Sequence, residues 1–387
     1  MFERFEKTLE ELKDKGLFRS IRYCEPVSPV RFRVEGRVFL NFGSNNYLGL
    51  THHPEVIKAS VEAVKKFGTG GGASRLITGS HALYERLEKE LAEFKGFPSC
   101  LVFSSGYTAN IGIISALCSR KSAIFCDKLA HASIIDGALL SRAKFFRFFH
   151  NDTNHLEELL KKHKDYEFKL IITEGVFSMD GDIPPLPEIL KLAEEYDALV
   201  LLDDAHATGV IGDSGRGTLE FFKLRSPRII CMGTLSKALA SLGGFVCAEK
   251  VIIDYLVNKG RSLIFSTALP PSAVAVGIKA LEVIKKEPEY VKRLQKNIKY
   301  LRRRLSDKGI KTHEFPTAIF PIIIGDTRKT LEVSEYLAKK GIFAPAIRPP
   351  TVPEGTARLR ISLSAMHSEE DLDLLADTLE EALSKIS

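Results

Sequence analysis

Short apolar runs alternate with longer stretches of helical period through the middle of the chain. The runs fall at 100–103, 123–126, 169–173, 198–202, 229–232 and 244–247, and they are rich in Ile, Val, Leu and Phe. Runs apolar at every position suit strands covered on both faces, and the intervening stretches are long enough to be the covering helices. Pro54–Phe67 carries a proline at an early helical position, and in 81–94 the residues Leu83, Leu87, Leu91 and Phe94 fall on one face. The pattern predicts an α/β fold with a mainly parallel sheet.

From about residue 285 the pattern changes to long amphipathic helices over 290–305, 330–340 and 368–386, separated by strand-like 320–324 and 358–363. Ser368 followed three residues later by Asp371 reads as a capped helix start. The segment 348–353 holds three prolines and can be neither regular helix nor central strand, so it is expected as a fixed loop. These shifts predict an N-terminal segment over 1–45 that packs with the small domain, a large α/β domain over 46–284, and a small α+β domain over 285–387.

Composition narrows the function classes. With 387 residues, 44% hydrophobic and 27% charged, the chain can bury a deep site, and it lacks the signature of disorder. The net charge of +6 is spread along helical faces, and its densest cluster, 292–304, alternates with Leu and Ile as a solvated helix face does. No nucleic-acid reader motif and no run of membrane-spanning length is present in the sequence. Cys24, Cys100, Cys118, Cys126, Cys231 and Cys247 stand singly in mainly apolar surroundings, as buried free thiols of a reducing compartment would. The charged start Met1-Phe2-Glu3-Arg4-Phe5-Glu6 lacks the features of a secretory signal, so a cytoplasmic protein is expected.

The chemistry gathers at strand ends. Lys237 follows an apolar run and lies among mainly small residues, with Ser236, Ala238, Ala240 and Ser241 near it in the chain. A lone lysine is ordinarily surface charge, but one with little room around it can be desolvated, which lowers its pKa as a Schiff-base amine requires. The run 198–202 ends in Asp203-Asp204-Ala205-His206. Open α/β sheets bind ligands at such ends, and a carboxylate there can hold a pyridine nitrogen protonated. A capped turn is the plainer reading, and metal ligation is disfavoured because no multi-ligand spacing accompanies the pair. At Ser105-Gly106-Tyr107 another run passes into a helical pattern, whose free N–H groups can bind a phosphate. The glycines of 68–75 follow a helix and lack a G-K-[ST] ending, so they read as a flexible or closely approached loop near the site and not as a nucleotide loop.

Taken in order, 41–50, 70–79, 103–107, 127–133, 173–182, 203–217, 234–244 and 350–367 resemble the α-oxoamine synthases, a group of fold-type-I pyridoxal-phosphate enzymes. The resemblance spans nearly the whole chain. It implies a pyridoxal phosphate carried by Lys237 as a Schiff base, with Asp203 at the pyridine nitrogen and His206 and Ser178 near the phenolic oxygen. It further implies that His131 stacks on the ring, that Ser105, Gly106, Tyr107 and Thr234 hold the phosphate, and that Thr267 reaches across from a second subunit of a homodimer. For the amino-acid carboxylate it points to Arg360, with Arg348 and Asn45 as additional contacts and Arg19 as a further one. Alternation alone puts Arg358 and Arg360 on the same strand face and cannot choose between them. Members of this group condense glycine, alanine or serine with an acyl thioester and release carbon dioxide, the acyl group arriving on coenzyme A or a carrier protein. A nicotinamide oxidoreductase would need a G-x-G-x-x-G turn after an early strand, and that turn is absent from the sequence.

Overall fold

Six of the seven strands in the central sheet coincide with the apolar runs. In the computed structural model, which describes residues 2–386, the strands lie in the order Ser99–Phe103, Gly244–Ala248, Ile229–Thr234, Leu199–Asp203, Phe168–Glu174, Ser122–Asp127, Lys144–Phe148. Gly244–Ala248 runs antiparallel to both neighbours, and the pairings from Ile229–Thr234 to Lys144–Phe148 are all parallel. Successive side chains feed opposite layers: Ile172, Leu201 and Val246 join one buried cluster, Ile171, Val200 and Leu202 the other. Each such Leu or Ile, fully enclosed, stabilises the fold by roughly 1.5–3 kcal/mol. Lys144–Phe148 is the strand that the pattern did not predict. It lies at the sheet edge, where Lys144 and Arg147 face solvent and break the apolar run.

The parallel strands end together. Asp127, Glu174, Asp203 and Thr234 are the last residues of four of them, and the antiparallel strand begins at Gly244, opposite Thr234. A side chain at Gly244 would place its Cβ 2.5 Å from the Ser105 carbonyl oxygen, so glycine is required for the two backbones to pass.

Contacts divide the chain into two units, one of residues 48–178 with 182–292, which holds the seven-stranded sheet, and one of 1–47, 179–181 and 293–387. The second unit contains the antiparallel strands Glu25–Ser28, Arg31–Val34 and Arg37–Asn41, with Ile342–Phe343 added in parallel. This meander was not expected. Its signal is the Glu35-Gly36 turn, where both residues have positive φ as a tight two-residue hairpin demands. A second sheet joins Ile319–Gly325, Ala357–Ser362 and Ala346–Ile347. The helix Glu369–Ile386 starts with Ser368 and Asp371 bonded reciprocally, each side chain accepting the other's backbone N–H at 3.2 and 3.1 Å. The proline-rich 348–353 has no regular structure. Five cysteines are buried, but Cys24 is exposed, against expectation, because the segment around it leaves Ile21 and Tyr23 uncovered as well. Among the described residues no helix is long and apolar enough to cross a membrane.

Candidate active site

The strand ends and two loops enclose a cleft of about 200 Å³. Ser105, Gly106, Tyr107, His131, Asp203, His206, Thr234 and Lys237 line it, and with them Asn110, Ser133 and Glu174, which sequence reasoning did not select. Thr267 and Ser178 are not among the lining residues. Thr267 pairs with Ser74 in an isolated bridge, and Ser178 is the last residue of its unit before 179–181. The glycine-rich segment is closely approached, since a Cβ at Gly71 would lie 2.6 Å from the Ala268 carbonyl oxygen.

Lys237 is held by the loop between the strands ending at Thr234 and beginning at Gly244. Thr234 Oγ1 donates to the Gly243 carbonyl at 2.8 Å, accepts from Ser236 N at 3.2 Å, and lies 2.7 Å from Ser236 Oγ. Leu235 N–H closes the loop on the same Gly243 oxygen at 2.9 Å. The lysine is therefore presented from a fixed turn and is itself half-buried.

Across the cleft, the helix Gly106–Leu117 starts with a capping box between Ser105 and Thr108. Its first-turn N–H groups, Gly106 among them, have no intrahelical acceptor and make the positive end of the helix dipole. At Gly106 an added Cβ would meet Met232 Cε at 3.3 Å, so the missing side chain keeps this end open.

Asp203 is buried, yet its carboxylate is oriented by donors. Asn110 Nδ2 donates to Oδ2 at 2.8 Å and Ala205 N–H to Oδ1 at 3.1 Å. Glu174 stands beside it in strand register and accepts the His131 backbone N–H at 2.6 Å. Burial, with the negative charge of Asp203 next to it, pushes the Glu174 carboxyl well above the usual carboxylate range. Desolvation, with Lys237's positive charge, pulls His131 below the ordinary imidazole value against the opposing pull of Asp203 and Asp136. The strand-end rule that selects Asp203 applies equally to Glu174. Asn110 carried no such signal beyond being one amide in an apolar helix.

Behind the cleft wall, Lys95 donates to Asp204 Oδ2 at 2.5 Å and to Thr208 Oγ1 at 3.2 Å, while Thr218 Oγ1 donates to Asp204 Oδ1 at 2.5 Å. This cluster anchors the residue after Asp203. At the neighbouring strand end His150 bridges Asp127 at 2.9 Å and Asp182 at 2.7 Å, and these two carboxylates raise its pKa to about 10 against the effect of burial. Among the described residues no group of His, Cys, Asp and Glu is arranged to hold a metal ion.

The other unit holds Arg19, Asn45, Arg348 and Arg360. Arg360 is buried, donating to Ser362 Oγ at 2.7 Å and to Asn45 Oδ1 at 3.1 Å, beside the buried Tyr47 hydroxyl. Arg358 instead pairs with Asp180 at 2.5 Å and also reaches the Met179 carbonyl. Arg348 donates to the Gly16 carbonyl and Arg19 to Thr351 Oγ1 at 3.3 Å. Desolvation, with the charge of Arg19 close by, lowers the pKa of Arg348.

A doubly covered, mainly parallel sheet with a lysine, a carboxylate and an open helix start at its strand ends defines an α/β enzyme of the class that binds a phosphorylated cofactor through an amine. The chain belongs to the aminotransferase class I and II family, whose model matches residues 37–379. It is 48% identical, over 99% of both chains, to a putative 8-amino-7-oxononanoate synthase from Desulforudis audaxviator. Among solved structures it resembles a high-resolution structure of SPT with PLP internal aldimine, at 32% identity and a TM-score of 0.93, covering 100% of this chain and 98% of that one. It also resembles the 8-amino-7-oxononanoate synthase of Francisella tularensis, at 30% identity and a TM-score of 0.77, covering 90% of this chain and 98% of that one.

Proposed function

We propose that the chain joins L-alanine to a pimeloyl thioester, forming 8-amino-7-oxononanoate, carbon dioxide and a free thiol, as a step of biotin biosynthesis. The observation that carries this reading is the 47% identity to an 8-amino-7-oxononanoate synthase of Thermoanaerobacter pseudethanolicus, over 94% of this chain and 93% of that one. The stretch Ile347-Arg348-Pro349-Pro350-Thr351-Val352-Pro353 and its continuation to Arg360 resemble that enzyme as well.

The cofactor is pyridoxal phosphate, and the cleft fits it. An amine, an oriented carboxylate, and a helix start kept open at Gly106 are the three features that an aldehyde, a pyridine nitrogen and a phosphate call for. Lys237 would hold the aldehyde carbon, Asp203 the ring nitrogen, and Ser105, Gly106, Tyr107 and Thr234 the phosphate. His206 and Ser178 would hold the phenolic oxygen, with His131 against the ring. When bound, the group supplies an electron sink for the carbanion that forms at the alanine α-carbon.

The amine of Lys237 acts as the base that takes the α-proton of alanine. The α-carbon then attacks the thioester carbonyl, the thiol leaves, the alanine carboxyl departs as carbon dioxide, and the same carbon is reprotonated. Asp203, fixed by Asn110 and Ala205, keeps its charge aimed at one place throughout. Arg360 binds the amino-acid carboxylate with two parallel hydrogen bonds, helped by Asn45. Arg348 and Arg19, two like charges near each other, favour an anionic group of the substrate. A homodimer in which Thr267 of one protomer completes the partner's phosphate site accounts for Thr267's absence from its own cleft.

The test compares two substrate pairs on one preparation, alanine with pimeloyl thioester and glycine with acetyl-CoA, the pimeloyl group being offered on coenzyme A and on carrier protein. Turnover of the alanine pair, abolished in Lys237→Ala, is expected. Turnover of the glycine pair alone would assign the chain to the 2-amino-3-ketobutyrate CoA ligases instead.

A further inference from the structure

We infer that Asn110 and Ser133 are positioning residues that lock His131 in the tautomer with its proton on Nε2, so that the ring offers a hydrogen bond to a substrate oxygen and does not serve as a base. The argument follows hydrogens along one chain of bonds. Asp203, as a carboxylate, only accepts, so the Asn110 atom 2.8 Å from it must be the amide nitrogen. That nitrogen has two hydrogens, and the second goes to Ser133 Oγ at 3.0 Å. Ser133 Oγ therefore accepts from Asn110, which leaves its own hydrogen for His131 Nδ1 at 2.8 Å. Ser133 N–H points at the same Nδ1, at 3.3 Å. Two donors converge on one ring nitrogen. Nδ1 must carry a lone pair, and the proton of the neutral imidazole must sit on Nε2.

The arrangement is enclosed where it sets the tautomer and open where it would be used. Asn110 and Ser133 are each 1% exposed. His131 lines the cleft and is exposed, and Nε2 has no hydrogen-bond partner among the described residues. The backbone of His131 is held separately, through its N–H to Glu174. A doubly protonated ring would turn an N–H at Nδ1 against Ser133 N–H, so the same contacts oppose protonation. The charged and titratable groups facing the ring are Asp203, Asp136, Lys237 and Glu174, with Tyr107 edge-on at 6.3 Å between ring centres. The chain of bonds also ties the ring to Asp203, so one amide orients both groups.

The tautomer does not depend on the proposed reaction, whereas the donor role rests on it. Both are tested on the full-length holoenzyme with isotopically labelled histidine, the His131 signal being identified by its loss in His131→Gln. Long-range nitrogen–proton correlations are expected to show a single species protonated at Nε2 through neutral pH. In Ser133→Ala they should show a tautomer mixture and a higher imidazole pKa, because one of the two donors at Nδ1 is gone. Asn110→Ala frees the Ser133 hydroxyl to turn and should give a smaller change in the same direction. A wild-type ring protonated at Nδ1, or a Ser133→Ala spectrum identical to wild type, overturns the inference. For the donor role, kcat/KM of Ser133→Ala should fall about tenfold with the cofactor's absorption unchanged, the loss of one ordered hydrogen bond. Unchanged kcat/KM beside a mixed tautomer overturns that role alone, and a wild type inactive with alanine would count against the reaction while the spectrum still decides the tautomer.

Discussion

Lys95 and Asp204 form an ion pair 2.5 Å apart in which neither side chain has any solvent exposure. Burial alone would discharge the lysine, but Asp204 more than offsets it and raises the lysine pKa. The pair also receives the Thr218 hydroxyl and places the lysine against the Arg216 carbonyl, so no charge there is left to a single partner. Replacing Lys95 with Met leaves Asp204 as a buried charge without its cation, which typically costs about 3–5 kcal/mol. Chemical denaturation should show that loss. A change under 1 kcal/mol would mean that Thr218 alone satisfies the Asp204 carboxylate.

Lys95 also marks where the sequence stopped being legible. As the last residue of the helix Ala82–Lys95 it reads as a solvated cation near a helix C-terminus, and only the tertiary meeting with a strand end 109 residues later reveals its burial. The sheet, by contrast, was legible because strands covered on both faces need apolar residues at every position, a local property. The strands 25–41 were missed because half-exposed alternation with arginine resembles a loop. At the site, Lys237, Asp203 and Gly106 follow from the rule that ligands sit at strand ends. Asn110 and Ser133 do not, since a hydrogen-bond relay depends on distances that spacing does not contain.

Glu174 offers a second prediction. Burial, with Asp203's negative charge beside it, pushes its carboxyl well above the usual carboxylate range and so favours the neutral form. Glu174→Gln gives a neutral side chain of the same shape that still presents an oxygen to His131 N–H. Stability and turnover near pH 7 should stay within about 1 kcal/mol of wild type. Loss of cofactor binding in this variant would show that the ionised carboxylate is needed.

His367 predicts the response to acid. It is buried against Phe42, accepts Ser364 N–H at Nδ1 and contacts the Asn41 carbonyl through Nε2, and burial lowers its pKa to about 4. The unfolded chain binds a proton here below about pH 6.5, and the folded chain does not until about 4. The contribution is therefore fully present above pH 6.5 and is lost as pH falls toward 4, the loss reaching about 3 kcal/mol there. Unfolding free energies between pH 7 and 4 should show a slope that His367→Phe flattens.

His150 predicts the opposite limb. Its folded pKa of about 10 lies above the unfolded value, so its bridge to Asp127 and Asp182 contributes fully below about pH 6.5 and is lost as pH rises through 10. His150→Gln should lower stability at neutral pH and remove part of the alkaline decline. An unchanged alkaline limb would mean that the imidazole is not charged in the folded protein.

Arg358 and Arg360 share one strand face and differ in their partners. Arg358 is paired with Asp180, a structural ion pair with the arginine side chain almost wholly buried, whereas Arg360 donates to Asn45 and Ser362 and is the arginine proposed above for the substrate carboxylate. Substitution should therefore separate stability from binding. Arg358→Met strands Asp180 and should lower the melting temperature, with the KM for alanine little changed. Arg360→Lys keeps the charge but loses the planar fork, and should raise the KM for alanine on the order of tenfold with the thioester KM nearly constant. Steady-state kinetics in both substrates, beside thermal melts of both variants, distinguish the two residues. If Arg358→Met raised the alanine KM as much as Arg360→Lys, the assignment of the carboxylate to Arg360 alone would fail.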